Sequence, residues 1–206
     1  MRCPSIITFA AVAFVAGMSS AASAAGNEDA NKAESFAKRV FAGDVGPQKK
    51  TYACFVRRYD AAHLARHPRQ KVSTMKLLVT AEITEDEALS YSFRLGLRFR
   101  HRPGDFDSSG GCSHFQPPEV PDEKAQFGCS VDCDGGGITV ELTPDNKSTL
   151  VRLERIRIWR NNKPDDEGFS LSGGADDRVF RLDRTRLEDC RSLVTDRQEL
   201  AAMRHK

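Results

Sequence analysis

The stretch YSFRLGLRFR (residues 91–100) alternates strictly. Tyr91, Phe93, Leu95, Leu97 and Phe99 fall on one side; Ser92, Arg94, Gly96, Arg98 and Arg100 fall on the other. A period of two belongs to a β-strand with one buried and one wet face, and no helix can sort these residues. The pattern recurs. In KVSTMKLLVTAEI, Met75, Leu77, Val79, Ala81 and Ile83 share a side, with Leu78 the exception, and in GITVELT the apolar positions are Ile138, Val140 and Leu142. TYACFVRRY and DRVFRLD read as further strands. In TLVRLERIRIW, Val151 and Leu153 are in one phase and Ile156 and Ile158 in the other, a one-residue slip that predicts a β-bulge near Glu154-Arg155.

The resulting fold class is mainly β: a single antiparallel barrel or sandwich of about seven strands, with short helices at both ends. At the N-terminal end, Ala33, Phe36, Ala37, Val40 and Phe41 are spaced for one helix face, stopped by Gly43. Towards the C-terminus Leu187, Cys190, Leu193 and Val194 share a face, and Thr195 to Gln198 reads as a capping box for a last short helix. Pro103 to Pro121, rich in Gly, Ser and Pro, is predicted as a loop.

The first 24 residues read as a cleaved export signal: Arg2, an apolar run from Ile6 to Met18, and small residues at Ala22-Ser23-Ala24. The run is too short for a permanent span, which needs about 20 apolar residues. The expected organisation is therefore a signal peptide at 1–24, an N-terminal helical segment at 25–45 and a β domain with its C-terminal helix at 46–206. The mature chain is expected to be periplasmic or secreted, with no integral membrane segment. Basic and acidic residues nearly balance, 31 Lys and Arg against 29 Asp and Glu. That is a well-solvated surface and not the polybasic face of a nucleic-acid binder.

Five cysteines follow the leader, and in an oxidising compartment they should pair and leave one over. FGCSVDC read as a strand sets Cys129 and Cys133 four residues, roughly 13 Å, apart, too far for one bridge. The expected pairs are Cys112 with Cys129 and Cys133 with Cys190, leaving Cys54 as a buried free thiol. Asp134-Gly135-Gly136-Gly137 is expected to supply the positive φ values of a tight turn or bulge between two strands.

Candidate sites were sought in the same residues. Cys112, His114, Cys129 and Cys133 form an acceptable zinc ligand set, though not at a common spacing. Asp132 and Asp134 could start a calcium loop, but Glu141 is misplaced for its bidentate position. Asp60, capping a short helix ended by Pro68, would set His63 and His67 one turn apart as an alternative metal pair. Arg94, Arg98, Arg100 and Arg157 line strand faces and are candidates for binding an anion. Ser108, Ser109 and Ser113 lie near His114, and Asp176-Asp177 precedes a strand, yet no nucleophile motif surrounds them.

The functional expectation is a disulfide-stabilised binding or envelope-associated module. Its partner would be an anionic or apolar small ligand or a component of the cell envelope, with no cofactor and no assignable catalysis. The alternative is a metal-dependent enzyme or metal-binding protein built on His63 and His67 or on the cysteine cluster.

Overall fold

The computed structural model describes residues 33–45, 50–84, 88–115, 126–160 and 168–203, so the leader falls outside the described residues. It is mainly β. Helix α1 (33–41) precedes strand β1 (Thr51–Arg58), helix α2 (Ala61–Arg66) and strands β2 (Val72–Ile83) and β3 (Leu89–Phe99). Strands β4 (Phe106–Phe115), β5 (Gln126–Ser130), β6 (Gly136–Leu142), β7 (Ser148–Arg160), β8 (Phe169–Ser172) and β9 (Val179–Thr185) follow. A 3₁₀ helix (Leu187–Leu193) and helix α3 (Arg197–Ala202) complete the described chain.

All nine strands belong to one antiparallel sheet. Each of β1 to β7 pairs with the next, and β9 pairs with both β7 and β1. The hydrogen-bonded ladder thus returns to its start around eight strands, leaving no free edge within that ring. Strand β8 stands outside it, paired with the far half of β7 where β9 leaves off. The phase slip in β7 is a bulge: Gly137 pairs with Arg155 but Ile138 pairs with Leu153, so Glu154 is the extra residue. That extra residue lets Leu153 and Ile156 both point inward, each with no exposed surface.

The closed sheet is filled. Phe55, Met75, Leu77, Phe93, Leu95, Phe106, Phe127, Ile156, Ile158 and Phe180 are all at most 1% exposed and form one cluster. Eight strands enclose a space just wide enough for side chains, so a core of this many aromatics leaves little room for a ligand. Helix α1 packs across one end through Phe36, Ala37, Val40 and Phe41. Arg184 fixes it there, donating to the Val40 and Arg39 carbonyls at 2.8 and 2.9 Å. Its stop is built on Ala42, at φ 55°, with the Gly43 N–H reaching the Lys38 carbonyl at 3.0 Å.

A second, smaller core lies on the outside of β1 and β2. Tyr52, Cys54, Val56 and Leu78 meet Cys190, Leu193, Val194 and Met203 of the C-terminal segment. This explains Leu78: it breaks the alternation because both faces of β2 are covered here. The disulfide Cys54–Cys190, with Cα atoms 5.9 Å apart, joins the two layers covalently. Gly96 makes room for the segment, since a Cβ there would stand 2.5 Å from Leu193 Cδ2.

The structure corrects several expectations. Residues 106–115 are a strand and not a loop. Gly110 is needed there because a Cβ would come within 1.9 Å of the Ser130 carbonyl oxygen, so a glycine-rich sequence disguises a strand. Cys112 and Cys129 sit opposite each other on β4 and β5 and are bridged. Cys133 does not pair with Cys190, and Cys54 is not the free thiol. Strand β5 ends at Ser130, so Cys133 is carried into the β5–β6 turn, exposed and unbridged. Cys54 instead points outward from β1, beneath the segment that carries Cys190. The turn itself puts Cys133 and Asp134 at φ 55° and 58°, with Gly136 at 72°, so the left-handed positions begin before the glycines. The last helix is capped by Asp196, whose side chain accepts from the Glu199 N–H at 2.7 Å, one residue later than the sequence predicts.

Candidate functional site

Among the described residues, the metal alternatives do not find a gathered donor set. Cys112 and Cys129 are joined to each other, so the Cys112–His114–Cys129–Cys133 set has lost two thiolates. His114 projects inside the sheet among Phe36, Tyr91 and Phe127, with ring centroids 4.8 to 5.6 Å away, and among the described residues neither ring nitrogen has a hydrogen-bond partner. Burial pushes its pKa down. Asp60 caps α2 as expected, accepting from the His63 N–H at 2.7 Å. The His63 and His67 rings stack at 4.3 Å, and His63 Nε2 bonds Gln70 Oε1 at 3.0 Å, an arrangement of ring packing and not of converging donors. Among the described residues, no three His, Cys, Asp or Glu side chains gather to hold a metal ion.

The scattered serines and acids are not brought together either. Ser108 is buried and donates to the Arg157 carbonyl at 2.7 Å; Ser109 and Ser113 face solvent. Asp177 has no exposed surface and accepts from the backbone N–H groups of Lys71 and Val72 at 2.7 and 3.2 Å, while Asp176 accepts from Arg69 N–H. These carboxylates hold the loop into β2.

The four candidate arginines separate into different roles. Arg94 forks onto Glu199 of α3 at 2.8 and 2.9 Å, a bidentate pair that seats the C-terminal helix. Glu199 is only 7% exposed at its side chain. Burial alone would raise its pKa, but the Arg94 bonds and charge, Lys50 and Tyr52 together hold it below the usual value. Arg100 donates to the Leu64 and His67 carbonyls, closing the end of α2. Arg157 is exposed on β7. Arg98 opens onto a cleft.

That cleft, about 350 Å³, lies on the outer wall of β2 and β3 just beyond the edge of the second core. Thr74 and Lys76 project from β2 and Arg98 from β3. Arg58 ends β1, and Ser192 and Leu193 close the side nearest the C-terminal segment. Alternation alone places Lys76 here, two residues from Leu78 on the same outward side. Arg98 pairs with Asp105, and Arg58 with Asp189 at 3.1 Å. Lys76 is different. Its Nζ donates to Ser192 Oγ at 2.9 Å, and among the described residues it forms no ion pair. Burial pushes its pKa down first, and the charges of Arg58 and Arg98 push in the same direction; Asp189 and Asp105 offset part of this. The cleft lining carries Arg58, Lys76 and Arg98 against Asp105 and Asp107, one cation in excess, and an oxyanion seated against Nζ would balance it.

Sequence reasoning singled out Arg98 but not Lys76 or Arg58. The available signal was a lysine on the outward side of a strand next to an outward leucine, which marks the border between covered and open wall. The chain matches no known protein-family description, no curated protein and no solved structure.

Proposed function

We propose that this chain is an exported binding module that takes a small anionic ligand, carrying a phosphate or carboxylate group, in the cleft between Arg58, Lys76 and Arg98. The observation that carries the reading is the Lys76 ammonium, half-buried and, among the described residues, in no ion pair, while its two cationic neighbours each have one. Export is supported by the leader pattern of residues 1–24 and by two disulfides, which persist in oxidising compartments. The filled interior directs binding to the outer wall. Backbone amide shifts of the ¹⁵N-labelled mature protein, followed during titration with inorganic phosphate, test this. Saturable shifts centred on Lys76, Gly96 and Ser192, with Kd in the millimolar range or tighter, are expected. Lys76→Met should abolish them and leave the rest of the spectrum in place. Shifts that persist in Lys76→Met, or that spread evenly over the surface, overturn the reading.

A further inference from the structure

A second recess, separate from the Lys76 cleft, opens at the end of the closed sheet that carries α2. It measures about 330 Å³ and lies between the end of β3, strand β8 and the residue before β2. That is within the size range of small-ligand pockets, which begins at about 300 Å³. Its floor is aromatic. Phe99 and Phe169 are half-buried with ring centroids 6.3 Å apart, and Phe106 packs edge-on beneath both at 5.2 and 5.5 Å. Its rim is cationic. The Arg102 guanidinium lies 3.9 Å from the centre of the Phe169 ring and 5.0 Å from that of Phe106, and the exposed Lys71 and His101 complete the edge.

Among the described residues, no acidic side chain lines this recess. Among the described residues, Arg102 has only its two ring contacts, and the side chain of Lys71 has no ion pair. Of the described acids closest to it, Asp105 binds Arg98 and Asp177 takes the backbone N–H groups of Lys71 and Val72; Asp165, Asp166 and Glu167, which precede β8 in sequence, lie outside the described residues. Within the described residues, the result is positive charge without a carboxylate partner, held over partly exposed aromatic faces. A simple anion would satisfy the charge and gain nothing from the rings. A neutral ring would stack and leave the cations unpaired. A flat ring bearing a carboxylate uses both.

We propose that this recess is a binding site for a planar aromatic carboxylate, its ring against Phe99 and Phe169 and its carboxylate between Arg102 and Lys71. The site is independent of the Lys76 cleft in position and in ligand chemistry. The test compares 2-naphthoate with the neutral 2-naphthamide by isothermal titration, with amide shifts locating the ligand. Naphthoate should bind at least about tenfold more tightly than naphthamide, a difference of about 1.4 kcal/mol. Its shifts should centre on Phe99, Arg102, Phe169 and Ser170. Arg102→Gln and Lys71→Gln, both at exposed positions, should each weaken naphthoate severalfold and leave naphthamide unchanged, while Lys76→Met should have no effect. Equal affinity for the two probes, unaltered naphthoate binding in both rim variants, or no binding at millimolar concentration overturns the proposal. Loss of naphthoate binding in Lys76→Met also overturns it, because the ligand would then occupy the outer cleft.

Discussion

Leu78→Ala separates a sheet with one buried face from the two-layered arrangement described above. By alternation Leu78 belongs to the wet side of β2, where truncating a leucine changes stability by no more than about 0.5 kcal/mol. In the structure it has no exposed surface and packs among Tyr52, Cys54, Val56, Cys190 and Leu193. Removing its three outer carbons loses about 2.4 kcal/mol of transfer free energy at about 0.8 kcal/mol each. The Cys54–Cys190 bridge fixes the two layers beside it, so the vacated space collapses poorly and a cavity term adds to the loss. The expected total is about 3–4 kcal/mol. In urea, with a slope of about 2 kcal/mol/M, the midpoint should fall by about 1.5–2 M at unchanged slope. A loss below about 1 kcal/mol would show that the C-terminal segment does not cover β2, and the second core would have to be abandoned.

Three further outcomes follow from particular side chains. Asp177→Ala orphans the Lys71 and Val72 N–H groups in a buried position and should cost about 2–4 kcal/mol by urea melting. Ala42→Gly should raise stability by about 1 kcal/mol in thermal melts, because Ala42 is exposed and held at φ 55°, where a Cβ is unfavourable. Glu199 has a folded pKa below its ordinary 4.5, so its contribution is complete above that value and is lost as pH falls through the folded pKa. Glu199→Gln should therefore be less stable than wild type at pH 6–7 and should lose less stability between pH 4.5 and 3, measured as urea midpoints across that range.

The strands with plain alternation were readable because one face of each meets the core and the other meets water. Strands β2, β3 and β6 carry that signal, and so does the bulge at Glu154, because a phase slip between Leu153 and Ile156 has few other causes. Strand β4 was hidden by its own packing. Its inward Gly110 exists because the Ser130 carbonyl passes too close for a side chain, and glycine is what a loop also uses. The cysteine pairing failed for a related reason. Cys129 and Cys133 are indeed not bridged to each other, although β5 ends at Ser130 and the strand spacing assumed between them does not exist; choosing a mate for Cys190 requires knowing which strand face the C-terminal segment covers. Two residues held that information. Leu78 is apolar where β2 should be wet, and the unbroken apolar run Tyr52 to Val56 in β1 is the pattern of a strand buried on both sides.

The candidate site was only partly legible. Arg94, Arg98 and Arg100 look equivalent in sequence, all outward on one strand, yet their roles depend on what lies across from each. Arg94 meets Glu199, Arg100 meets the end of α2, and Arg98 borders a cleft. Such pairings span about a hundred residues for Arg94 and Glu199, beyond the reach of local pattern. The closed ladder and the aromatic filling set the larger constraint: with the interior occupied, the proposed ligand sites fall on the outer wall and on the rim.

The arrangement rests on the C-terminal segment being stapled across the outside of β1 and β2. Peptide mapping of the unreduced protein, alkylated after unfolding and recovered from an oxidising compartment, tests this directly. The account expects Cys54 linked to Cys190, Cys112 linked to Cys129, and the alkyl group on Cys133 alone. A Cys133–Cys190 link with alkylated Cys54 would contradict it, and would take the second core and the cleft at its edge with it.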